Sequence, residues 1–313
     1  MNRTRRTGAL LALATACISG VAIFVNANGV RAYGSAAVYT TAKNAVAAIA
    51  LVAVAGIVAR RGTALTRPRG TRAWAALAAV AVIGGSVPFV LFFEGLARAT
   101  ATQSAFLHKS LVIWVALFAV LVLREKLSSA HYLAIALLVA GQVGLNGGLA
   151  GIAAVVTDSG AMMILGATLL WSVEVVISKR LLADVTPWTL SIARMAGGSV
   201  VLLAWSAAIG SLGSVVPATA VQWGWVAVTG LLLAAYVATW HHALARAQAV
   251  DVTAVLVAGA LVTAALSGAF RGVDLAPALP WHGLILAGTA LLAARMWRAR
   301  PGLVSPIPAG ARS

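Results

Sequence analysis

The residues of this 313-residue chain that could do chemistry are few, and they stand in apolar company. Lys43, Lys109 and Arg194 each lie inside a long hydrophobic run, as in "AFLHKSLVIWVALFAVLVL" (105–123), where His108, Lys109 and Ser110 interrupt the start. A charge in such a run costs roughly 2.5–3.5 kcal/mol on insertion scales, so it faces a bundle interior, a wet cavity or a counter-charge. Three basic groups placed this way can attract an anionic or zwitterionic molecule, with Glu94 and Glu174 as counter-charges or gates. Helical spacing sets Tyr39 and Thr40 beside Lys43, Ser104 beside His108, Trp171 and Ser178 beside Glu174, and Ser191 and Gly198 beside Arg194. Lys109 is turned about 100° from His108. The candidate pathway residues are therefore Lys43, Tyr39, His108, Lys109, Trp114, Trp171, Glu174 and Arg194, and the candidate gate or counter-charge residues are Glu94 and Glu174. A plainer reading stands beside this one. It makes Glu174–Arg194 and Glu94–Lys109 structural ion pairs, lets Lys109 snorkel toward headgroups, and packs Trp114 and Trp171 as core.

Catalysis finds little support. The chain has no His-Glu-x-x-His, no Gly-x-Ser-x-Gly and no glycine-rich phosphate loop, and it has only seven acidic residues. Ser104 one turn before His108 imitates a nucleophile and its base, but nothing orients the histidine. Cys17 is the only cysteine, which excludes an intramolecular disulfide and a cysteine-built metal site. The chain is read as a non-enzyme without cofactor or metal.

The elements that must position these residues follow from composition. Hydrophobic residues make up 61% and charged residues 10% of the chain, and the mean hydropathy is +0.96. No single soluble core absorbs that much apolar surface. Windows of roughly 18–22 apolar residues recur, each long enough to cross a hydrocarbon layer about 30 Å thick. Unalternating Ala, Val and Leu runs in lipid mean helices, because the backbone must satisfy itself within each segment. Ten spans are expected, near 8–28, 35–58, 73–93, 102–123, 131–150, 160–178, 188–209, 223–242, 251–269 and 281–297. "GGSVP" (84–88) should break the third, since Pro88 has no N–H to donate and the freed carbonyls could line a cavity. The N-terminus imitates a signal peptide, but its apolar stretch runs on past Cys17 and reads as the first span.

With the N-terminus inside, 17 of the 23 basic residues fall on inside segments, three (Arg31, Arg98 and Arg271) on outside loops, and three within spans. This asymmetry places both termini in the cytoplasm. It also explains the formal net charge of +16 through orientation and anionic lipid, with no nucleic-acid partner. Lys43, His108, Lys109 and Glu94 then form an outer polar layer, and Glu174 and Arg194 an inner one. His131, His241 and His242 are expected near the interface. Trp74, Trp188, Trp223, Trp281 and Trp297 fall at span ends, as interfacial anchors do.

The chain answers itself. "GLARATATQSAFL" (95–107) reads against "ALARAQAVDVTAV" (243–255), "LLVAGQVGL" (137–145) against "LILAGTALL" (284–292), and "TAKNAVAAIAL" (41–51) against "IARMAGGSVVL" (192–202), which aligns Lys43 with Arg194. Residues 8–150 and 160–297 are thus two repeats of five helices each, followed by a cytoplasmic tail at 298–313. An odd number of helices per repeat makes the second copy enter the membrane from the opposite side.

This order, with "LREKLSSAHYLAIALLVAG" (123–141) and "LLWSVEVVISKRLL" (169–182), resembles the EamA-type members of the drug/metabolite transporter superfamily. The sequence departs from that pattern at Ser110 and Leu111, where proline is frequent, at Ala134, and at "FRGVDL" (270–275), where a glutamate is expected. The resemblance implies an all-α integral membrane protein of ten helices in two inverted repeats. It further implies alternating-access movement of a small organic metabolite (an amino acid or related compound, or a drug-like one), often outward, across a bacterial inner membrane. The expected partners are that small molecule, membrane lipid and a possible second copy of the chain. A non-transporting scaffold and an intramembrane enzyme are the competing classes.

Overall fold

The computed structural model describes residues 2–60, 62, 65–99, 101–148 and 158–298. Among these, all regular structure is helical: α1 (Asn2–Tyr33), α2 (Ala36–Arg60), α3 (Gly70–Ile83), α4 (Val87–Leu96), α5 (Ala101–Lys109), α6 (Leu111–Leu121), α7 (Ser129–Leu145), α8 (Ser159–Leu181), α9 (Pro187–Ile192), a π-helical turn (Ala193–Gly197), α10 (Gly198–Ala208), α11 (Leu212–Val215), α12 (Ala220–Leu244), α13 (Ala249–Leu256), α14 (Gly259–Arg271), a 3₁₀ turn (Ala276–Ala278) and α15 (Leu279–Arg298). Polar residues set several starts in the expected manner. Asp158 accepts from Gly160 N, Thr186 from Thr189 N and Thr219 from Gln222 N, and Pro187 opens α9.

Among the described residues, eight helical stretches are long and apolar enough to cross a membrane: Arg6–Tyr33, Ala36–Arg60, Gly70–Leu96, Ser159–Leu181, Pro187–Ala208, Ala220–Leu244, Ala249–Arg271 and Ala276–Arg298. The windows 102–123 and 131–150 correspond to two shorter apolar stretches, Phe106–Leu121 and Ser129–Leu145. The first is interrupted at Ser110, whose hydroxyl donates to Leu107 O at 2.6 Å in place of regular helix geometry. Residues 149–150 of the second window, and 299–313 of the expected tail, lie outside the described residues.

The most extensive helix pairs join the first half of the chain to the second: α1 and α2 against α12, α4 against α8, and α7 against α15. The outward faces are apolar, with Leu10, Ile49, Leu121, Val200, Leu231 and Leu286 all more than half exposed. A soluble protein does not present such a surface all round, whereas lipid accepts it. The protein is a multi-pass membrane protein. Trp74, Trp223, Trp281 and Trp297 are exposed near helix ends, and Trp188 packs its ring 5.0 Å from His242.

Candidate functional site

The site is built on the break between α3 and α4. Gly84 O would accept from the N–H of residue 88, but residue 88 is proline. Gly85 O would accept from Phe89, whose N–H goes instead to Ser86 O at 3.0 Å. Two carbonyls are thereby released inside the bundle, and both are claimed by other helices. Gly84 O accepts from Trp171 Nε1 at 3.1 Å and from Arg194 Nε at 3.3 Å. Gly85 O accepts from Asn44 Nδ2 at 3.2 Å. The approach is close enough to require glycine. A Cβ on Gly85 would collide with Arg194 O, and one on Gly198 would collide with Gly85 O. The π-helical turn that carries Arg194 is the local widening that faces this break.

Lys43 lies one residue from Asn44 and is only 2% exposed. Its Nζ donates to Asn26 Oδ1 at 3.3 Å and sits 4.2, 5.3 and 5.7 Å from the ring centroids of Phe93, Tyr39 and Phe89. These are cation–π distances. Tyr39 Oη donates to the same Asn26 Oδ1 at 2.7 Å and lies 2.8 Å from Thr229 Oγ1. Among the described residues, no carboxylate comes within 4.0 Å of Lys43. The cage continues through aromatic contacts: Phe89 to Trp171 at 5.3 Å, Phe92 to Trp171 at 5.6 Å, and His108 to Trp171 and Phe92 at 5.2 and 5.0 Å.

Behind Trp171 lies a second group. Glu174, 1% exposed, has Arg194 Nη2 at 3.8 Å from Oε2 and His241 Nε2 at 3.8 Å from Oε1, and it accepts from Ser178 Oγ. Ser191 Oγ donates to Pro187 O at 2.8 Å and lies 2.8 Å from His241 Nδ1. With the serine hydrogen so engaged, Nδ1 is the donor of that pair, and Nε2 turns its other edge toward Glu174 without a hydrogen-bond partner.

The structure thus gathers Lys43, Tyr39, His108, Trp171, Glu174 and Arg194 around one broken helix, and the expected outer and inner groups adjoin through Gly84 and Gly85. Three candidates fall elsewhere. Glu94 pairs with Arg98 at 3.2 Å, not with Lys109. Lys109 faces a different recess. Trp114, half-buried, donates to Ser110 Oγ at 3.2 Å.

Two histidines expected near the interface are buried instead. His241 is fully covered because α9 brings Ser191 over it. His131, also fully covered, places Nε2 3.1 Å from Asp251 Oδ1 and 2.8 Å from Arg295 Nη1, while Arg295 reaches Asp251 Oδ1 at 3.3 Å. Its Nδ1 accepts from Ser128 N at 2.9 Å. The signal for His131 was available in "SSAH" (128–131), a capping-box spacing with histidine in place of glutamate. Asn26, Asn44, Phe89 and Phe93 had no sequence signal beyond their neighbours.

This second polar cluster extends to Glu125. Arg124 adopts a positive φ of 55°, which closes α6 with a bond from Glu125 N to Ala119 O at 3.0 Å. The Glu125 carboxylate then accepts from Ala249 N at 2.8 Å and Val250 N at 3.4 Å, at the start of α13. Burial pushes its carboxyl above the usual value. Lys179 Nζ donates to Leu244 O and Ala247 O at 2.7 and 2.6 Å, closing the end of α12.

A lipid-facing helical bundle with a buried, charged centre on a broken helix is the architecture of a membrane transporter. The model of the EamA-like transporter family matches residues 6–147 and again 158–296, and the chain belongs to that family. The chain is also similar in fold to a protein solved by crystallography, with a TM-score of 0.70 and 17% identity over 94% of this chain and 99% of that one. No curated protein matches the sequence.

Proposed function

We propose that this protein is a secondary carrier of the bacterial inner membrane that moves a small anionic or zwitterionic organic metabolite, outward, by alternating access. The observation that carries this reading is Lys43: a buried ammonium with three aromatic rings and an asparagine around it and no acid. An unpaired buried charge is costly unless something completes it. A carboxylate or phosphate of the cargo would supply the missing counter-charge, with its apolar part against Phe89, Phe93 and Trp171. Glu174 and Arg194 form the opposing pair, which the cargo would enter or rearrange.

Ten spans in two inverted repeats, 8–150 and 160–297, with both termini cytoplasmic, are part of the same proposal. The helix contacts support it. Under exchange of the halves, α1 against α12 becomes α8 against the α3–α4 helix, α1 against α13 becomes α8 against α5–α6, and α7 against α15 maps onto itself; all of these pairs are present. The two family-model matches divide the chain at the same place. Motion of one half against the other about the Gly84–Ser86 break would expose the Lys43 cage to each side in turn.

The test is thermal unfolding of the purified protein against metabolites grouped by charge. A ligand at 100 times its Kd adds about 2.7 kcal/mol of stability. Stabilisation by anionic or zwitterionic compounds that is lost in Lys43→Met, followed by flux of the same compounds in proteoliposomes, supports the reading. Stabilisation confined to neutral or cationic compounds rejects it.

A further inference from the structure

Glu174 and His241 meet acceptor to acceptor. Glu174 Oε1 and His241 Nε2 stand 3.8 Å apart, and both side chains are buried. The ring's own proton is on Nδ1, which donates to Ser191 Oγ, because the serine hydrogen goes to Pro187 O. Nε2 therefore turns a lone pair toward a carboxylate oxygen and has no hydrogen-bond partner. What satisfies both atoms at once is a proton, which needs no cavity. Histidine is the side chain whose charge changes most readily near neutral pH.

The other charges around this histidine come from several elements. Arg194, on the π-helical turn, stands 3.8 Å from the second carboxylate oxygen, Glu174 Oε2, and Ser178 of α8 donates to Oε1. On α12 itself, Tyr236 interacts electrostatically with both Glu174 and Arg194. His242 turns its ring to Trp188 and its Nδ1 to Ala238 O at 2.8 Å. Lys43 of α2 lies by Gly230, about three turns back along α12. Lys179 and Arg246 are spent on carbonyls at the end of α12. Asp251 of α13 is held by His131 and Arg295, and α1 meets this stretch through Thr15 and Thr239. Arg194 is thus the counter-charge of Glu174, and it is the same arginine that an anionic cargo would engage. Drawing it to the cargo strips Glu174 of its partner, and a buried carboxylate left alone is costly. Protonated His241 is the replacement at hand, with Nε2–H donating to Oε1 as a charge-assisted bond.

We propose that His241 Nε2 and Glu174 Oε1 form a proton-binding site that fills as cargo draws Arg194 off Glu174, so that anion and proton bind together and cross together. The cargo's part in this rests on the carrier function proposed above; the proton's part rests on the His241–Glu174 geometry. The proton comes from water on the side where the cargo enters and adds to the Nε2 lone pair. It returns to water when the cargo leaves and Arg194 swings back to Glu174. A monoanion then crosses without net charge.

The experiment uses the full-length protein in detergent and has two arms. Without ligand, Arg194→Met imitates the cargo-bound state by removing the guanidinium. Stability rises as pH falls wherever the folded state holds more protons than the unfolded one. From about pH 8 to about pH 5, the unfolding temperature of Arg194→Met should therefore climb relative to the native protein. Adding His241→Asn, which keeps a donor for Ser191 and deletes Nε2, should abolish the climb. A climb that survives His241→Asn would put the proton on Glu174 and overturn the site, as would no climb at all. Should Arg194→Met fail to fold, Arg194→Gln, which keeps a donor for Gly84 O, carries the same readout. With ligand, L-glutamate and L-alanine are the anionic and zwitterionic probes. Calorimetric titration in two buffers of different ionisation heat should count roughly one proton taken up per probe bound, and none in His241→Asn. Binding that Lys43→Met abolishes but that takes up no proton would leave the carrier function standing and overturn the coupling. Failure of both probes to bind counts against the carrier function, while the ligand-free arm decides the proton site by itself.

Discussion

Trp171 and Arg194, from two different helices, donate to a single acceptor, the carbonyl oxygen of Gly84, at 3.1 and 3.3 Å. That oxygen is free because Pro88 has no N–H to give it. One proline thus couples the aromatic cage of Lys43 to the Glu174–Arg194 pair, and each consequence of that coupling is measurable.

Trp171→Phe keeps the ring contacts with Phe89 and Phe92 but deletes the bond to Gly84 O. Interhelical hydrogen bonds in membranes average about 0.6 kcal/mol and reach about 1.7, so the loss of stability should lie in that range. Pro88→Ala restores an N–H for Gly84 O and lets α3 and α4 run straight. Its flux should fall while its unfolding temperature holds or rises. Flux at the native level in Pro88→Ala would show that the break is not used.

Gly198→Ala places a methyl group against Gly85 O. Backbone cannot yield as a side-chain tip does, so a loss of about 1–3 kcal/mol is expected, as for overpacked cores. Gly213→Ala, where nothing lies within 4 Å of the added Cβ, is the control and should unfold like the native protein.

Lys43→Met should separate stability from function. Removing an unpaired buried cation relieves a desolvation cost that the three rings only partly offset. The ligand-free protein should gain about 1 kcal/mol or more, while anion-dependent stabilisation and flux disappear. A variant that loses stability and keeps flux would assign Lys43 a structural role only.

Glu125 gives a pH dependence whose sign is set by burial. Its folded-state carboxyl titrates above the ordinary carboxyl value because it is buried, so the folded state binds the proton more readily than the unfolded state. The contribution is fully present below the unfolded-state value and is lost as pH rises through the folded-state one. Native protein should therefore lose stability across mildly acidic pH. Glu125→Gln, which can still accept from Ala249 N, should flatten that part of the curve. A pH profile of thermal unfolding for both proteins checks it.

How far the residues could be read in advance differs from element to element. The helices, the break at "GGSVP" and the polar intruders Lys43, Glu174 and Arg194 were legible, because lipid forbids unsatisfied backbone and makes every intramembrane charge conspicuous. Depth along a helix was less informative. Counting residues from the helix ends assigns His131 and His241 to the interface, yet Asp251 with Arg295 covers one and Ser191 with Glu174 adjoins the other, from helices far away in the chain. Counting also puts Lys43 and Arg194 in separate layers, yet Asn44, the residue after Lys43, and Arg194 donate to the adjacent carbonyls of Gly85 and Gly84. Glu94 and Lys109 looked like partners because both are isolated charges at one end of the bundle; the i, i+4 spacing of Glu94 and Arg98 on one helical turn won instead.

The sequence by itself determined that this chain is helical and lies in a membrane, where its helix breaks, and which residues resist burial, since hydropathy, proline geometry and charge are local properties. Its membership of a transporter family was legible in the order of its motifs. Which of those residues share a site was decided only by the tertiary structure. A freed carbonyl or a buried ammonium states a need without naming a partner, and the partner comes from whichever helix the packing brings within hydrogen-bond reach.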